Sequence, residues 1–230
     1  MDYSVYQENN MSFSKYLSKC FMWMFLGLLT SFGVSAIFSY TGLFAGILLN
    51  FGTSFILISS IIEIILVISL SRSVFNLDSK MALTLFFMYS VINGVTLSSI
   101  FYLFELSSII YVFLGSSAIF GVMALVGYTT KLDLSRMGTF LSIALLSMLV
   151  ISVIMLFSYN ETAYLTLSVA AIGIFMLITT YDIHIIKRMY YNTNSSSEQN
   201  ALAIYGALQL YLDFINIFLR LLYIFAKNRD

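Results

Sequence analysis

Residues 203–225 read AIYGALQLYLDFINIFLRLLYIF, an apolar run interrupted by Gln209, Asp213, Asn216 and Arg220. About 20 apolar residues rising ~1.5 Å each cross the roughly 30 Å hydrocarbon core of a bilayer, and the stretch from Ala201 to Phe225 meets that length. The four polar residues are spaced by four, three and four. A helix therefore carries them on one face, with Tyr205 one turn earlier. Charged groups facing lipid are costly. This helix is expected to be enclosed by other helices or to line a wet cavity, with Leu212 and Ile217 turned toward lipid. A buried packing helix with satisfied polar groups is the alternative. The depth of Asp213 in the segment favours an ion or proton site.

The rest of the chain supports a membrane reading. Of its 230 residues 60% are hydrophobic and 10% charged, against about 25% charged in a soluble domain. Net charge is zero, which supplies no electrostatic attraction for nucleic acid. The lone cysteine, Cys20, excludes an internal disulfide and a thiolate metal cluster. No proline is present to kink a helix. These features predict an all-α membrane protein of seven transmembrane helices, with a cytoplasmic tail over residues 1–19 and a single transmembrane domain over 20–230. The apolar stretch after the tail is long and no small-x-small site follows it, so it reads as a retained first helix and not a cleaved signal.

The predicted spans are 20–40, 50–70, 81–104, 108–128, 137–157, 164–189 and 201–225. The segment NTNSSSEQN, 192–200, reads as a loop. Lysine and arginine alternate between the connections. Lys15 and Lys19, Arg72 and Lys80, Lys131 and Arg136, and Lys187 and Arg188 mark every second one, whereas 41–49, the region near 105, and 158–163 have none. The positive-inside rule then places the N-terminus in the cytoplasm. Seven crossings put Lys227 and Arg229 outside, against the rule at that one end.

Five ionisable residues lie in or beside the spans: Glu63, Asp182, His184, Asp213 and Arg220. A short loop makes the last two helices antiparallel. Asp182 then falls roughly 10 Å before the end of its helix, and Asp213 somewhat deeper in the next, at ~1.5 Å per residue. Two carboxylates in contact cannot both ionise cheaply and share a proton, a pH-sensitive latch. Deprotonated, the pair is an oxygen-rich site for a hard cation such as calcium. The alternative pairs each acid separately with a base such as Arg220 or Lys187, and spacing supports both equally. Glu63 reads as a capped structural acid or as part of a cation path with Asn216 and Arg220. His184, two residues from Asp182, points away from it. No His or Cys cluster with metal-ligand spacing exists, so no cofactor is expected.

Four stretches carry a resemblance. LYLDFINIFLRLL (210–222), TTYDIHIIKRM (179–189), GYTTKLDLSRMGTFL (127–141) and YSVINGVTLSSIF (89–101) resemble the Bax inhibitor-one family, the transmembrane Bax-inhibitor-motif proteins. The likeness runs from the second helix onward, and GYTTKLDLSRMG is similar to the bacterial branch. It implies a central last helix surrounded by six others in two three-helix layers, in a bacterial inner membrane. It also implies a pH-sensitive calcium-leak channel, with calcium as the transported ion and Asp182 and Asp213 as the gating dyad. A basic latch from the second helix is implied too, for which Arg72 is the nearest residue. Some relatives are similar to regulators of a membrane quality-control protease or of cell death, the competing function.

Enzymatic readings fare poorly. An intramembrane aspartyl protease would match Tyr181–Asp182, but its second aspartate belongs to Gly-x-Gly-Asp, where this chain has Leu-Tyr-Leu-Asp. Its proline-containing motif is impossible here. A retinal pump needs a lysine inside the last helix, and Lys227 lies beyond it. The chain is expected not to be an enzyme.

Overall fold

A computed structural model describes residues 12–225 except 53, 76–77, 131, 133, 135, 156–159 and 194–195. The expected tail over 1–19 therefore lies mostly outside the described residues. The chain forms α1 (Phe13–Tyr40), α2 (Leu43–Phe51), α3 (Ser54–Phe75), α4 (Ser79–Leu103), α5 (Leu106–Thr129), α6 (Met137–Met155), α7 (Glu161–Tyr191) and α8 (Ser196–Phe225). Seven of these are long and apolar enough to cross a membrane, all but α2. The protein is an all-α membrane protein.

Three boundaries differ from expectation. α1 begins at Phe13, taking in Lys15 and Lys19, because one polar turn on a long apolar helix costs little. Residues 196–200, expected in a loop, open α8. The segment 41–49, also expected as loop, contains most of α2. Gly42 (φ 73°) and Gly52 (φ 60°) hold the left-handed turns that separate α2 from α1 and α3. At nine residues α2 reaches only ~14 Å, too short to span.

The chain divides into two compact units. The first comprises residues 1–103 and 186–211, the second 104–185 and 212–230, so α7 and α8 each contribute to both.

In the first unit α1 packs on α4 through small residues, the usual means of close approach in membranes. A Cβ on Gly94 would stand 2.6 Å from the Ser31 carbonyl oxygen and 2.9 Å from Val34 Cβ. α3 packs on α4, and Phe44 of α2 meets Tyr102 at 5.8 Å between ring centroids. The start of α1 meets the end of α7 through Phe13 and Tyr16, which contact Tyr190 at 5.4 Å each. Lys19 donates to Asn200 Oδ1 at 2.5 Å.

In the second unit α5 lies against α7. A Cβ on Gly127 would stand 2.7 Å from the Thr180 carbonyl oxygen, and the Thr180 hydroxyl donates to the Met123 carbonyl at 3.3 Å. Phe113 and Phe120 of α5 meet Phe214 of α8 edge-on at 5.3 and 5.8 Å.

α8 is the most enclosed helix. Of its spanning stretch 67% is buried, against 39% for α4 and 11% for α6. Enclosure extends beyond the polar stripe. Ile217, expected to face lipid, is fully buried, and Leu212 is half-buried. Packing covers apolar and polar sides of α8 alike, so amphipathicity within this helix does not mark a lipid-facing side.

Candidate functional site

Asp182 and Asp213 come together in the second unit. Thr179 and Asp182 stand three residues apart on α7 and therefore share a face. Asp213 on α8 lies opposite that face, where its carboxyl is beside the Thr179 hydroxyl and feels the charge of Asp182. Both acids are buried, at 7% and 3% exposure. The Thr179 hydroxyl also lies 2.9 Å from the Phe175 carbonyl oxygen, to which it donates. Asp213 Oδ2 has no hydrogen-bond partner among the described residues. A buried carboxylate oxygen without a donor is costly when ionised. It calls for a proton or a cation.

The other sequence candidates are placed elsewhere. Asn216 and Arg220 line a cavity of about 500 Å³ in the second unit, walled by α6 with Phe175 of α7. Asn216 donates to the Leu212 carbonyl at 2.8 Å, a bond within its own helix. Arg72 is exposed in the last turn of α3. His184 is half-buried, and its Nε2 lacks a partner among the described residues.

Glu63 anchors a polar network inside the first unit. Its Oε1 accepts from the Thr96 hydroxyl at 3.0 Å, and its Oε2 faces the Asn93 amide at 3.5 Å. Asn93 Oδ1 accepts from the Tyr211 hydroxyl at 2.8 Å. Tyr211 and Ser31 hydroxyls lie 2.7 Å apart, and Ser31 donates to the Ser90 carbonyl at 2.6 Å. Two hydroxyl protons serve these contacts, so both hydroxyls can rotate between partners. The network joins α3, α4, α8 and α1, and it makes Glu63 a hydrogen-bonded acid.

Sequence reasoning missed Thr179, Tyr211, Ser31 and Thr96. Thr179 was legible as the hydroxyl one turn before Asp182. Tyr211 carried the signal that a buried phenol in an apolar helix needs an acceptor. Ser31 and Thr96 carried none, since such residues satisfy themselves on their own helix carbonyls.

Among the described residues no group of three or more His, Cys, Asp or Glu side chains gathers in a metal-holding arrangement. The pair with Thr179 thus supplies only part of the six to eight oxygens that calcium takes.

A family model described as "Inhibitor of apoptosis-promoting Bax1" matches residues 13–230. The inner membrane protein YbhL of Escherichia coli (strain K12) is 36% identical over 218 residues, covering 93% of this chain and 92% of the relative. A protein of Borreliella burgdorferi is 33% identical over 225 residues, 94% of each chain. A membrane protein of Streptococcus pyogenes serotype M1 is 33% identical over 235 residues, 99% of each.

Proposed function

As this chain belongs to the family described as inhibitor of apoptosis-promoting Bax1 and is a multi-pass bacterial membrane protein, we propose that it is a pH-sensitive calcium-leak channel gated by Asp182 and Asp213. One observation carries this reading. Two buried carboxyls face each other on α7 and α8, and one oxygen of Asp213 has no donor among the described residues.

The chemistry follows from the pair. Like charges in a low-dielectric interior repel strongly, so the pair holds one proton between its members. When the last proton leaves, two carboxylates with the Thr179 hydroxyl form an incomplete oxygen site. Water completes the shell of a passing calcium ion, and a partly coordinated ion is held weakly enough to leave again. No covalent step and no resident cofactor enters this reading. In it Glu63, Asn216 and Arg220 are ion-path candidates, and Arg72 is the nearest residue for the basic latch that the family resemblance implies. The N-terminus is cytoplasmic.

The test is calcium entry into dye-loaded proteoliposomes containing this protein alone, across a series of pH values. Wild type should leak calcium in a pH-dependent way. Asp213→Asn and Asp182→Asn should each lose most of that dependence, and the double variant should add little because the two act as one unit. A native pH profile in both single variants would remove the pair as sensor. Silence of the wild type, with a stably co-purifying membrane protease, would replace the channel by a regulatory role.

A further inference from the structure

Independently of the channel reading, we propose that the α6–α7–α8 cavity of the second unit is a binding site for an anionic glycerophospholipid, with the phosphate on Arg220 and an acyl chain along α6. The wall is apolar. Leu145, Leu149 and Met148 of α6 and Phe175 of α7 line it, and Arg220 is its charged residue. α6 is the helix most open to the bilayer, with Leu146 64% and Leu149 60% exposed. A chain lying in this groove covers apolar surface that no part of the protein covers.

Arg220 supplies the recognition. Among the described residues its contact is the face of the Tyr164 ring, 5.7 Å from guanidinium to centroid, and no carboxylate pairs with it. Stacking on a ring leaves the edge of the guanidinium, with its fork of N–H donors, free for a phosphate. Asn216, also in the lining, gives one amide N–H to its own helix at 2.8 Å.

Position fits a lipid better than a soluble anion. Tyr164 stands one turn into α7, and Arg220 lies in the last two turns of α8. α7 follows α6 after a short connection, so Arg220 marks the end of the cavity near the close of α6. From there the lining runs from Ser152 to Ser142, ten residues. At ~1.5 Å per residue that is about 15 Å, half of the roughly 30 Å hydrocarbon core. The groove is thus one leaflet deep, with a cation at its interfacial end.

The experiment is native mass spectrometry of the full chain in mixed micelles of phosphatidylglycerol and phosphatidylcholine with matched chains. Wild type should retain phosphatidylglycerol about fivefold over phosphatidylcholine, the ratio for one interfacial cation. Arg220→Gln should abolish the preference. Arg220→Lys should keep part of it, since the charge stays and the fork is lost. Leu149→Trp fills the groove and should reduce retention of both lipids with Arg220 intact. The proposal is overturned by no preference in the wild type, or by a wild-type preference in Arg220→Gln. It is also overturned if excess glycerol 3-phosphate displaces the lipid, which marks a phosphate site without a chain site. If Arg220→Gln does not fold, full retention in Leu149→Trp overturns it as well.

Discussion

Thr179 gives its proton to the Phe175 carbonyl at 2.9 Å, and its hydroxyl lies beside the Asp213 carboxyl. Removing that hydroxyl leaves both carboxyls in place but takes away the polar group beside Asp213. Thr179→Val should therefore move the pH profile of calcium flux, whereas Asp213→Asn should flatten it. An unmoved profile in proteoliposomes would separate Thr179 from the sensor. At the other end of the same logic, Tyr211→Phe removes the donor that Asn93 Oδ1 accepts. A buried acceptor left without its partner costs about 1–3 kcal/mol. The variant should unfold at lower temperature in detergent. Tyr211→Phe combined with Asn93→Leu should cost less than the sum of the two, because the stranded acceptor is gone.

Helix contacts in this chain depend on where side chains are missing. Gly94 of α4 and Gly33 of α1 are both glycines in long helices, yet they occupy different surroundings. A Cβ at Gly94 meets backbone of α1 at 2.6 Å, and one at Gly33 meets nothing within 4 Å. Overpacking against a backbone costs about 1–3 kcal/mol, and helix propensity returns up to ~1 kcal/mol for Gly to Ala. Gly94→Ala should lower the thermal midpoint, and Gly33→Ala should leave it unchanged or raise it. Equal midpoints would show that α1 and α4 do not approach as closely as these positions require. The short α2 sits at a different balance. Leu49 is 88% and Phe51 65% exposed, so an apolar medium must cover them if the helix is to persist.

Seven long apolar helices make the molecule an integral membrane protein, and the charges in its connections set an expected orientation. Arg72 and Lys80 flank one connection, and Arg136 another, while the connection ahead of Glu161 has neither lysine nor arginine. A reporter inserted at Leu132 should lie in the cytoplasm and one at Asn160 outside. The reverse result would put the N-terminus outside and turn the aspartate pair toward the other face of the membrane.

The sequence by itself determined the class of this protein, because a bilayer demands long apolar helices and tolerates few other spanning structures. It also singled out Asp182 and Asp213, since an acid inside a spanning helix is too costly to be incidental. The spacing of Gln209, Asp213, Asn216 and Arg220 predicted enclosure of the last helix, and α8 is the most buried one. Only the tertiary structure decided how far that enclosure goes. Ile217 and Ile215 are buried as well, and lipid and protein interior are equally apolar, so hydropathy cannot tell the two apart. A loop expected over 41–49 also hid α2, a mostly apolar helix of nine residues between two glycines that is too short to read as a span. Partners were beyond sequence for a different reason. A serine such as Ser31 can bond its own helix at Gly27 or reach Ser90 and Tyr211. Its spacing along α1 is the same in either case, and the choice rests on which helix packs beside it.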